Sequence, residues 1–97
     1  MFAQNKSITG TIIDKETKIP IHGANVFSEK LGSGTSSRVD GSFILKNLSG
    51  NELTIEISMI GYKKTNRPVA LKSINNDIGK IYLDIDTLKF QELNVDA

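Results

Sequence analysis

The chain has 97 residues, 38% of them hydrophobic, with 12 basic and 11 acidic side chains and a net charge of +1. That length and apolar content suit one domain burying roughly 60–70% of its unfolded surface, and they exclude a disordered chain. Interspersed charges of near-zero sum, two Arg (Arg38, Arg67) and no Trp give no electrostatic or stacking case for nucleic acid or a membrane surface.

Cysteine is absent, so disulfides and thiolate metal sites are excluded. No apolar run approaches the roughly 18 residues of a membrane helix, and direct membrane insertion is not expected. Met1-Phe2-Ala3-Gln4 suits the trimmed end of a secretory signal peptide, processed after Ala3. An ordinary frayed N-terminus fits those four residues equally well. Residues 1–6 are therefore assigned to a signal-peptide remnant and flexible start.

Ser7 to Asp14 is a β-branched run read as a strand, with Gly10 marking a close backbone approach or a bulge. Asp14 to Pro20 is a charged loop. Ile21 to Ser28 is the second strand region, with Ala24 and Val26 on one face and Phe27 on the other. Glu29 to Thr35 supplies turn residues. Ser36–Val39 and Ser42–Leu48 flank Asp40-Gly41, the signal for a type I′ hairpin whose central residues both need positive φ.

Asn47 to Asn51 is a turn, followed by Glu52 to Lys64, the most regular period in the chain. Leu53, Ile55, Ile57 and Met59 share one parity, and Thr54, Glu56 and Ser58 the other, which predicts a central strand with one face in the core. The alternation breaks at Ile60, and Gly61 predicts a bend. Asn66 to Leu71 is a strand that Pro68 pushes to an edge or a start. Lys72 to Asp77 is a polar loop. Ile78 to Ile85 sets Gly79, Ile81, Leu83 and Ile85 against Lys80, Tyr82 and Asp84. Residues 86–97 form a linker with one candidate short strand at Leu93 to Val95. No stretch carries a helical stripe, so seven short strands predict an all-β, seven-stranded antiparallel β-sandwich over residues 7–85.

Chemistry is sparse. His22 stands alone beside Pro20 and Gly23 and reads as a surface residue. Asp14 with Glu16, and Asp84 with Asp86, have same-face strand spacing that a calcium site or an acid/base pair would want, yet Asp84 and Asp86, opposite Ile85, read as a solvated face. Asp40-Gly41 lacks the rest of a calcium loop, and Gly32-x-Gly34 lacks the strand and helix of a phosphate cradle. Asn5-Lys6-Ser7 and Asn47-Leu48-Ser49 match the glycosylation triplet, which matters only in a eukaryotic secretory pathway. Tyr62 with Lys63 and Lys64 is the best candidate for an exposed partner-binding patch. No catalytic, metal or cofactor site is expected, and the chain is read as a non-enzyme.

Ile8-Thr9-Gly10-Thr11-Ile12-Ile13-Asp14, then Pro20-Ile21-His22-Gly23-Ala24-Asn25-Val26, resemble the "G-x-V-x-D … P-L-x-G-A-x-V" opening of the carboxypeptidase-regulatory-like domain. Gly34-Thr35, Asp40-Gly41-Ser42-Phe43 and Ile60-Gly61-Tyr62-Lys63 resemble its "G-T … D-x-x-G-x-F … I-G-Y-K" signature. The resemblance implies a transthyretin (prealbumin)-like sandwich, of Ig-like Greek-key type, without catalytic residues. Leu88 to Ala97 is similar to the "L-x-E-V-V-V-T-A" that follows this domain in TonB-dependent outer-membrane receptors of Bacteroidetes, including SusC-like glycan importers.

That second resemblance implies a periplasmic N-terminal extension ahead of the chain's own plug and barrel. The TonB-type energising protein would then be the partner of Glu92, Leu93, Asn94 and Val95. A tail of this kind adds to a sheet edge through its backbone, with Leu93 and Val95 as same-face side chains. Two alternatives stand beside it. One is an accessory module of a peptidase or cell-surface protein; the other is a carbohydrate-binding module using Tyr62, Tyr82 or Phe90.

Overall fold

The computed structural model describes residues 5–86, which contain seven strands and no helix. These are β1 (Lys6–Asp14), β2 (Asn25–Ser28), β3 (Ser33–Ser36), β4 (Ser42–Leu48), β5 (Glu52–Ser58), β6 (Thr65–Ala70) and β7 (Asn75–Leu83). They form two sheets, one ordered β4-β1-β7 and the other β3-β2-β5-β6. The inward residues of both sheets make one core, in which Ile8, Ile12, Phe43, Leu45, Ile55, Ile57 and Leu83 are buried. The expected sandwich is present.

β5 lies between β2 and β6, with Leu53, Ile55 and Ile57 inward, and is the central strand its alternation predicts. It ends at Ser58, earlier than Lys64. Gly61, at φ +91°, makes the expected bend. β6 is an edge strand, so the amide missing at Pro68 costs the interior of the sheet nothing. β2 covers only the last four residues of the predicted stretch, with Val26 buried and Phe27 outward. β3 starts within the segment read as a turn.

Three features differ from the expectations. First, Asp40-Gly41 does not join two strands of one sheet: β3 pairs with β2, while β4 pairs with β1. The Arg38 amide bonds the Ser42 carbonyl at 2.8 Å and the Gly41 amide the Arg38 carbonyl at 2.8 Å, closing a three-residue connection. Gly41 has φ +83°, whereas Asp40 is not among the positive-φ residues, so this is a glycine-closed corner and not a type I′ turn. A Cβ at Gly41 would lie 2.6 Å from the Ile12 carbonyl oxygen. Glycine is needed there for approach as much as for φ.

Second, the sandwich is not wholly antiparallel. β1 and β7 run parallel, paired from Ser7↔Asn75 to Asp14↔Leu83. Third, β7 begins at Asn75, inside the stretch read as a polar loop. Asn76 is buried there because its side chain is fully used. It donates to the Ser7 and Ser73 carbonyls at 3.0 and 2.9 Å and accepts from the Lys72 and Ser73 amides.

The β1–β7 register shifts between Thr9 and Thr11, where β7 carries an extra residue beside Gly79, at φ +78°. One inserted residue exchanges the two faces of a strand. Accordingly Asn76 is inward before the bulge, and Ile81 and Leu83 after it. Gly10 faces this bulge. Its missing side chain makes room for Phe43, whose Cε2 lies 2.9 Å from where a Cβ would stand. The close approach read at Gly10 is real, and the bulge lies on its neighbour.

Candidate functional site: the corner after the last strand

At the C-terminal end of β7 the chain crosses towards the other sheet and is clipped to the β5–β6 connection. Ile85 forms an antiparallel bridge with Tyr62. The Lys63 amide donates to the Asp84 carbonyl at 2.8 Å, and the Asp86 amide to the Gly61 carbonyl at 2.9 Å. Gly61 turns the backbone so that both bonds can form.

The side chain beneath this clip is Tyr62, half-buried against the core. Its hydroxyl donates to Asp14 Oδ2 at 2.6 Å, joining the end of β1 to the β5–β6 connection. Asp14 is itself buried, and its Oδ1 accepts the Glu16 and Thr17 amides at 2.8 and 2.9 Å. The Tyr62 hydroxyl, followed by the Thr17 and Glu16 amides, holds the Asp14 carboxyl below the usual aspartate value of 3.8 despite its burial. The same bond, aided by burial, pushes the Tyr62 phenol up to about 12.

Asp14 is thus the organiser of its loop and not half of a carboxylate pair with Glu16, which is exposed. Asp84 faces Lys15 at 3.6 Å in a solvent-exposed pair of small energetic weight. Asp40 accepts the Ser42 hydroxyl and amide, and these bonds lower its pKa. His22 is exposed. Among the described residues no three His, Cys, Asp or Glu side chains gather as a metal would require.

Of the predicted partner-binding residues, the structure brings Tyr62 and Lys63 to this corner. Tyr62 has its hydroxyl committed inward, while Lys63 is exposed. Glu92, Leu93, Asn94 and Val95 lie outside the described residues, as do Phe90 and residues 1–4. A shallow depression of about 370 Å³ beside the corner is lined by Met59, Ile60, Tyr62, Lys64 and Asp86. Ile60, 91% exposed, is its most prominent apolar residue. The break in alternation at Ile60 was its only signal in the sequence, since one unpaired apolar residue has no period. Tyr82, exposed on the other sheet, has Lys18 Nζ 5.0 Å from its ring centre. Phe27, 40% exposed, is the aromatic that the carbohydrate reading overlooked.

This fold and corner define a small β-sandwich module in which the segment after β7 is pinned as far as Asp86. Residues 8–95 match the CarboxypepD_reg-like domain, and the chain belongs to that family. No curated protein sequence matches it. Among solved structures it is similar to a type II cohesin–X–dockerin complex from Acetivibrio cellulolyticus, with 17% identity and a TM-score of 0.63 over 77% of this chain and 52% of that one. It is also similar to the C-terminal domain of the shaft pilin SpaA from Lactobacillus rhamnosus GG, with 14% identity and a TM-score of 0.59 over 84% of this chain and 98% of that domain. The chain spans about half the length of the cohesin–X–dockerin chains it matches. At such identities the likeness is one of fold.

Proposed function

We propose that this chain is a non-catalytic, periplasmic N-terminal extension of a TonB-dependent outer-membrane transporter of the SusC-like kind, acting as a spacer and docking module ahead of the plug. The observation that carries the reading is the corner itself. A module that must present a continuing chain needs a fixed point of departure, and the bonds of Lys63 and Asp86 to their partners supply one. The resemblance of Leu88 to Ala97 to the segment preceding the plug supports a TonB-contacting segment as what is presented. No cofactor or metal is called for in this role.

The test is a titration of the isotope-labelled chain with the periplasmic domain of a TonB-type protein, followed by amide chemical shifts. The expected result is movement at Glu92, Leu93, Asn94 and Val95, smaller changes at Tyr62 and Lys63, and an unchanged sandwich core. A spectrum that stays still throughout overturns the transporter reading. It would leave the accessory module of a peptidase or cell-surface protein as the better account.

A further inference from the structure

We propose that the sandwich is a load-bearing link, in which tension along the chain falls on the β1–β7 ladder in shear. The proposal rests on the placement of two strands and goes beyond the transporter reading; it holds for any chain in which this module is in line with a load.

β1 opens the described fold and β7 closes it, and the two are neighbours running in the same direction. The start of β1 and the finish of β7 therefore lie at opposite ends of the ladder, about 30 Å apart for nine residues. Pulling the chain ends apart draws β1 one way along its axis and β7 the other. The interstrand hydrogen bonds lie across that direction, so they share the load and must yield together. Had the two strands been antiparallel, both chain ends would sit at one end of the pair. The bonds would then peel one at a time, each carrying the whole load in turn.

Sliding gives no easy escape. A slip of one residue would carry Ile81 and Leu83, 3% and 0% exposed, from the core face to the solvent face. On its other edge β1 is held by β4, so β7 is the strand that must move. Both ends of the ladder are also tied to neighbouring loops. Lys6 Nζ donates to the Gly50 and Leu71 carbonyls at 2.7 and 3.3 Å, and the Asn76 side chain reaches the Ser7 carbonyl. At the far end the Lys15 amide bonds the Leu83 carbonyl at 3.0 Å, and the Tyr62–Asp14 bond and the Asp84–Asp86 clip lie just beyond. The clip, having only two backbone bonds, opens first and passes the load to the ladder.

Because the chain has no cysteine, single thiol handles can be placed at will. The full chain is stretched by single-molecule force spectroscopy from its N-terminus to Ala97→Cys, and separately from its N-terminus to Lys72→Cys. Lys72 is exposed in the loop before β7, at the same end as Lys6, so the second geometry peels β7 away. End-to-end stretching is expected to give one unfolding event at several-fold higher force than peeling, since forced unfolding reports the barrier along the pulling direction. Equal forces in the two geometries, or a weaker end-to-end event, would overturn the proposal. Two trimmed variants locate the resistance. Ile81→Val should lower the end-to-end force, and Val69→Ala in β6 should lower thermal stability while leaving that force unchanged. The reverse pattern would place the resistance outside the β1–β7 ladder and reject the assignment.

Discussion

The two sheets solve the same packing problem in different ways. In the β3-β2-β5-β6 sheet the strands pair antiparallel, and alternation along β5 runs unbroken from Leu53 to Ile57. In the β4-β1-β7 sheet one pair is parallel, a bulge at Gly79 reverses the faces of β7, and Gly10 gives up its side chain to Phe43. The first sheet tolerates local change because each position answers mainly to its own face. The second is a seam between the beginning and the end of the fold, where a change on one strand must be absorbed by the other. Pairing across such a separation has no turn to set its register, so side-chain fit must do so.

The largest expected effect separates the sheets by glycine. Gly10→Val drives a side chain into the Phe43 ring and towards the Gly79 carbonyl, and should cost about 3 kcal/mol in denaturant melts. Gly34→Ala, in the other sheet, meets the Phe27 ring edge at 3.2 Å and the Val26 carbonyl oxygen at an ordinary contact distance of 3.5 Å. Phe27 is half-exposed and can turn aside, so the cost should stay within about 0.5 kcal/mol. Equal losses at the two positions would erase the contrast between seam and open sheet.

A second, smaller pair concerns buried serines. Ser37 Oγ donates to the Ile21 carbonyl at 2.6 Å and accepts the Ala24 amide at 2.9 Å, holding the approach to β2 against the segment that follows β3. Ser37→Ala leaves both backbone groups unpaired and should cost about 2 kcal/mol. Ser28 Oγ, equally buried on β2, is the one buried side-chain oxygen without a partner among the described residues. Ser28→Ala should therefore be neutral or stabilising by up to about 1 kcal/mol. Thermal melts of the two variants, read side by side, check the difference in sign.

The smallest effect lies where the two sheets meet at the corner. Tyr62→Phe removes the hydroxyl from Asp14 and should lower Tm by about 5 °C near neutral pH. Its pH dependence is the sharper measurement. Tyr62 is raised from 10.0 to about 12, so its contribution is complete below pH 10.0 and is lost as pH rises towards about 12. Asp14 is lowered from 3.8, so its contribution is present above that value and is lost as pH falls through the lower folded value. The stability gap between wild type and variant should thus be flat between these limits and close at both extremes. A gap that widens above pH 10 would contradict the bond as described.

Much of this architecture could be read from residues in isolation. Ile55 and Ile57 had to face a core because their neighbours Thr54 and Glu56 are polar at a period of two, and Pro68, with no amide to donate, pointed to an edge or a strand start. Ile60 and Phe27 were harder to see as surface features, since a lone exposed apolar residue leaves no pattern. Tyr62 was visible as an aromatic beside two lysines, but its bond to a carboxylate 48 residues away was not.

Local chemistry thus decided which residues alternate and which proline disfavours an interior strand, because those properties belong to a few consecutive residues. Folding in three dimensions decided the rest. Alternation looks the same whether a neighbour runs parallel or antiparallel, so the direction of β7 beside β1 could not be known in advance. The same holds for Asp40-Gly41, whose turn chemistry suits a hairpin or a corner between sheets equally well until the strands on either side have found their partners.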